Sequence, residues 1–149
     1  MSMVKLAGIT PDGAAKALAV NENGELKVNH IWETEQTVVM NEQIRSTSAV
    51  TSTAIEIGKY ALTSLRIKNT LNKEVDVMVY LDNSVSDTIY LYNAEGAPVK
   101  ITMPNNGHDM ILTSDDYPFL NYLQYLHLRA QCSEAPTSGA LKITVVGRR

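Results

Sequence analysis

A chain of 149 residues and 16.4 kDa has the size of one ordinary domain, or of a domain with a short arm, because folded domains most often hold about 100 to 150 residues. Its 44% hydrophobic and 19% charged fractions are those of a globular chain and exclude a disordered or collagen-like one. There is no run of about 18 apolar residues to span a membrane and no signal-peptide pattern at the start, and a net charge of −3 has the wrong sign for a protein that neutralises phosphates. Neither nucleic acid nor membrane is therefore expected as a partner, and the product is expected to stay in the compartment where it is made.

Val, Ile and Thr make up 36 of the 149 residues, and their stiff β-branched side chains favour strands. Taken in order, residues 1–30 carry two turn signals, Pro11-Asp12-Gly13 and Asn23-Gly24, between weakly apolar segments. The segment 13–20 is too short for an isolated helix and reads as a strand that pairs with 25–29 across 21–24. A lone hairpin is marginal in water, so this N-terminal arm must lie on something; Leu18, Val20, Leu26 and Val28 are its candidate partner-binding residues. The remainder, 31–149, reads as a single β-sandwich domain.

Strands are expected in that domain at 37–40, 54–57 and 65–68, and most clearly at 74–82, where Val75, Val77, Val79 and Leu81 alternate with polar residues. The same period of two places Ile89 and Leu91 opposite Tyr90 and Tyr92, and Val99, Ile101 and Met103 opposite Lys100 and Thr102. Strands at 110–113, 126–132 and 140–146 complete the set. Between them fall turn signals at 70–73, 82–84, 93–96, 104–107 and 135–139. The segment around Asp115-Asp116-Tyr117-Pro118 reads as a loop or single helical turn, with the aspartates in a turn or capping role. Short strands separated by short turns define the expected fold: an all-β, antiparallel β-sandwich of jelly-roll-like type with an N-terminal β-hairpin arm.

Chemistry is harder to find. His30, His108 and His127 lack metal-ligand spacing, and the single Cys132 sits in an apolar alternation as a buried thiol. No phosphate loop or nucleophile elbow is present, and Asp115 and Asp116 are adjacent, so on an extended backbone they point to opposite sides. The stretch Asp82, Asn83, Ser84, Asp87 has calcium-friendly composition but lacks the glycine and terminal glutamate of an EF-hand loop. No catalytic residue, cofactor or metal site is expected, and the expectation is a non-enzyme. Arg148 and Arg149 are either a handle for an acidic partner or a solvated tail. Trp32, Tyr80, Tyr90 and Tyr92 form a candidate aromatic patch, suited to cross-strand pairing, a subunit interface or a sugar platform.

Both ends of the chain carry a resemblance. Asp12-Gly13, Leu18, Val20, Gly24, Leu26 and Val28 match the DGxxxxLxVxxxGxLxV opening of tailed-bacteriophage virion proteins, and 135–148 resembles the last hairpin of the same kind of protein. The middle matches only in strand rhythm. The resemblance implies a capsid decoration or head-fibre protein: a β-sandwich without catalytic residues, a homo-oligomer and often a trimer, bound to the major capsid or another virion protein. Its location would be the virion. The alternative is a receptor- or carbohydrate-binding module of the tail, baseplate or head surface, with a host glycan as partner.

Overall fold

The computed structural model describes residues 33–79 and 91–149, together with the backbone of 6–9, 15–18, 80–81 and 89–90. The chain divides into two units, Met1–Trp32 and Glu33–Arg149. In the first, β1 (Leu6–Ile9) and β2 (Ala15–Leu18) form an antiparallel pair with Leu6 opposite Leu18 and Ile9 opposite Ala15. The strand expected within 13–20 is present, but its described partner is the segment before it. The Pro11-Asp12-Gly13 turn signal falls between these two strands in the sequence. Residues 25–29, the partner expected for 13–20, lie outside the described residues.

The second unit is an all-β sandwich. Its strands are β3 (Thr34–Glu42), β4 (Val50–Thr51), β5 (Ile55–Glu56), β6 (Leu62–Asn69), β7 (Val75–Leu81), β8 (Ile89–Tyr90), β9 (Lys100–Met103) and β10 (His108–Leu112). One helical turn, α1 (Phe119–Tyr122), precedes β11 (Tyr125–Gln131) and β12 (Leu141–Arg148). A four-stranded sheet runs β10-β6-β12-β3; the other runs β4-β11-β7-β8, with β5 also on β11 and β9 also on β7. Every pairing is antiparallel.

The pairing is nested. The first strand of this unit, β3, lies beside the last, β12; β4 and β5 lie beside β11; β6 lies beside β10; and β7 lies beside β8 and β9. A long antiparallel hairpin rolled up on itself gives this order, with successive strands changing sheet everywhere except from β4 to β5, which both lie on β11, and from β7 to β8 and β9. That is the jelly-roll arrangement. The break between β4 and β5 is a local irregularity: Ser52 sends its N–H to the Leu128 carbonyl at 2.8 Å and accepts the Leu128 N–H on Oγ at 3.0 Å. A hydroxyl thus carries the ladder across a bulge.

The core follows the period-two pattern of the sequence. Leu65 and Ile67 of β6, Val75, Val77 and Val79 of β7, Leu126 and Leu128 of β11, and Leu141 and Ile143 of β12 are all fully buried between the sheets. Fully burying each contributes roughly 1.5 to 3 kcal/mol, and a one-residue slip of any strand would expose its whole set, so hydrophobic alternation holds the register. Cys132 is buried as expected, and burial, aided by the Asp76 carboxylate, pushes its thiol pKa up.

A candidate binding groove beside the sheet edge

Of the proposed arm residues, Leu18 ends β2 opposite Leu6. Val20, Leu26, Val28 and Trp32 lie outside the described residues, as do His30 and the segment 82–88 with its calcium-like composition. The aromatic candidates are better placed. Tyr80 of β7 stands directly opposite Tyr90 of β8 and, on its other side, His127 of β11. Tyr92 follows at the next position of the same period, bridged to Pro98 and 56% exposed. By backbone register, then, Tyr80 and Tyr90 are neighbours and Tyr92 continues their line.

Beyond Tyr90 the sheet edge is interrupted. The Leu91 N–H bonds the Val79 carbonyl at 3.1 Å, and the Val79 N–H bonds the Val99 carbonyl at 3.3 Å, so β7 changes partner from β8 to β9 at Val79. Residues 92–98 leave the sheet as a tight hairpin, closed by the Val99 N–H on the Leu91 carbonyl at 2.6 Å and the Asn93 N–H on the Ala97 carbonyl at 2.8 Å. Inside its tip the Asn93 Oδ1 accepts the N–H groups of Glu95 and Ala97, each at 3.0 Å. Gly96 supplies the positive φ of 77° that the turn needs.

The segment between β10 and β11 faces this hairpin. The Tyr117 N–H bonds the Thr113 carbonyl at 3.0 Å, and α1 follows with Leu120 buried in the core. The expected single turn is present. Its N-cap, however, is Pro118, with no side-chain capping bond, while Asp115 and Asp116 lie in the turn before it. Proline explains the substitution, because it presets φ at the start of a helix and has no N–H to satisfy.

Between hairpin and turn lies a groove of about 570 Å³, within the range of small-molecule sites. Leu91, Tyr92 and Val99 form one wall; Tyr117, Phe119, Tyr122 and Leu123 form the other; Asn93, Lys100 and Asp116 are polar. The Tyr117 and Phe119 rings meet edge to face, 5.9 Å apart at 71°, which fixes both. Tyr122 is 82% exposed. Lys100 Nζ lies 3.2 Å from Asp76 Oδ2, and Thr102 donates to Asp76 Oδ1 at 2.7 Å, so the lysine charge is matched on the sheet face.

Asp115 does not share this groove. It lines a smaller cleft of about 290 Å³ with Thr63, Thr113 and Arg148, so the adjacent aspartates serve different surfaces. Thr63 Oγ1, buried beside that cleft, has no hydrogen-bond partner among the described residues. His108 starts β10 opposite Asn69, well apart in register from His127, and among the described residues no three His, Cys, Asp or Glu side chains gather. Arg149 is not a loose tail: its guanidinium bonds Glu35 at 2.8 Å and lies over the Tyr60 ring at 5.8 Å. Lys59 bonds the same carboxylate at 3.2 Å, and these cations, with a contribution from Tyr60, hold Glu35 below the ordinary carboxylate range.

Tyr117, Phe119 and Tyr122 were outside the patch expected from sequence. A signal was present, since three aromatics within 117–122 of a loop have no sheet face to explain them.

Strand order and pairing define the body of this protein as a jelly-roll β-sandwich. No protein-family profile matches the chain, and comparison with curated proteins gives no match. Among solved structures it is similar to the SPBc2 prophage-derived protein YomS, at 10% sequence identity and a TM-score of 0.47, over 82% of this chain and 98% of that one.

Proposed function

We propose that this chain is a non-enzymatic accessory protein of a tailed-phage particle, which adds to an assembled capsid as a decoration or head-fibre protein. The observation that carries the reading is the division between a jelly-roll body with its own core and an N-terminal unit described as a two-stranded pair. An isolated pair of strands is marginal in water, so β1 and β2 call for a surface that completes them. Leu18, Val20, Leu26 and Val28 supply the apolar contacts, and they fall within the segment 12–28 that resembles the opening of phage virion proteins.

Binding, rather than turnover, is the proposed mode of action. A protein that attaches only to the assembled shell shifts the equilibrium toward assembly by mass action. A homo-oligomer, a trimer in this reading, would attach by several arms at once and so multiply weak contacts. Its location would be the virion.

Immunogold electron microscopy of particles from the source lysate, with antibody against the recombinant chain, tests the location. Label over the heads supports decoration. Label confined to tail tips would replace it with a receptor-binding role, and unlabelled particles beside free antigen would reject a virion role.

A further inference from the structure

We infer that the groove between residues 91–100 and 116–123 is a binding site for a neutral saccharide, with Tyr92 and Tyr122 as stacking platforms and Asp116 as an acceptor for sugar hydroxyls. The inference does not rest on attachment to a virion. It starts from two large aromatic side chains left 56% and 82% exposed on either side of one concavity. Both stand on backbone that is held in place: Tyr92 on a hairpin cross-linked by Asn93, Tyr122 on a turn pinned by buried Leu120. Preorganised walls reduce the ordering cost of binding.

The chemistry of the lining selects the ligand class. A pyranose ring has an apolar C–H face and a hydroxyl edge; the C–H groups carry partial positive charge and suit the negative face of an aromatic ring. The hydroxyls need both acceptors and donors, and an exposed carboxylate beside the rings takes their protons in hydrogen bonds. Among the described residues the one cation of the lining, Lys100, is already matched by Asp76 at 3.2 Å, so the described lining offers no surplus positive charge to a phosphate or acidic sugar. Proline-rich peptides also dock on aromatic grooves. They present carbonyl acceptors and few N–H donors, which would leave the Asp116 carboxylate unmatched.

The test uses the full chain on an array of neutral, sialylated and sulfated oligosaccharides, followed by NMR titration with maltohexaose, chitohexaose and a polyproline peptide. The expected result is binding to neutral glycans, with amide shifts centred on 91–100 and 116–123. Tyr92→Ala and Tyr122→Ala should each weaken it about tenfold, the worth of one aromatic contact. Since Tyr122 is so exposed, its variant should melt with the parent protein and separate lost binding from lost folding. Asp116→Asn should weaken binding while leaving the melting temperature unchanged. Absence of neutral-glycan binding, a preference for the acidic glycans, affinity unchanged from the parent in both tyrosine variants, or groove shifts caused by polyproline alone would each overturn the inference.

Discussion

Asn69 shows how much one side chain can hold. It ends β6, is fully buried, and directs its amide Nδ2 at the carbonyls of Pro104 (2.9 Å), Lys73 (3.1 Å) and Met103 (3.3 Å), while its Oδ1 accepts the Leu71 N–H at 3.0 Å. Two separate turns, 69–74 and 103–107, are thereby tied to one corner of the sandwich. Replacing it with alanine strands several buried backbone groups at once, and each costs about 1 to 3 kcal/mol when unpaired. Asn69→Ala should therefore lose about 2 to 4 kcal/mol in urea unfolding, among the larger effects of a single substitution. Two glycines offer a contrast. A Cβ on Gly139 would run into the Thr70 carbonyl oxygen at a φ of 84°, whereas one on Gly96, at 77°, would meet nothing within 4 Å. Gly96→Ala should cost only the conformational strain, about 1 kcal/mol, and Gly139→Ala clearly more, as read from the two urea midpoints.

At the scale of elements, both edges of the four-stranded sheet are braced by charge. On the β3 edge, Glu35 is bonded to Lys59 and Arg149; on the β10 edge, Asp109 makes a two-point contact with Arg66 at 3.0 and 2.5 Å. These cations lower the carboxylate pKa values of Glu35 and Asp109, and Lys73 does the same for Glu134. A carboxylate whose pKa is depressed by folding contributes stability that is present above its unfolded value and lost as pH falls through its folded one. The melting temperature should thus decline as the pH drops from about 5 toward 3, in the range where unfolded carboxylates begin to take up protons. Exposed pairs are individually weak and screened, so the decline should be a few degrees and should shrink in about 1 M salt. Asp109→Asn should flatten the same curve. An acid limb that is unchanged in salt and in this variant would place the acid sensitivity elsewhere.

For the molecule as a whole, the body carries its own hydrophobic core, with every buried core residue among the described residues falling between Met40 and Val145. Deletion of residues 1–29 is therefore expected to leave a cooperative, folded jelly roll by circular dichroism and thermal melting, one that no longer binds particles. Retained particle binding by the shortened chain would remove the arm from the mechanism and turn attention to the sheet faces. The groove makes the opposite forecast under the same deletion: its described walls lie within 91–123, so saccharide binding should survive. One truncation therefore separates two modes of recognition.

Alternation and turn chemistry alone determined the class of fold. Val75, Val77 and Val79, or Leu126 and Leu128, report a half-buried strand wherever they occur, because successive side chains in a strand face opposite ways. Pairing carried no such local mark: β3 lies beside β12, about a hundred residues later, and β2 lies beside β1, the segment before it. The aromatic line was half legible, since period two puts Tyr90 and Tyr92 together, but Tyr80 joined them only through the register of two strands. The groove was not legible as a site, because its walls come from a hairpin inserted into one sheet edge and a loop some twenty residues further on. Burial of apolar side chains is a local, periodic demand that a sequence displays openly. The meeting of two distant loops depends on how the sheets fold over each other, and that was decided only by the tertiary structure.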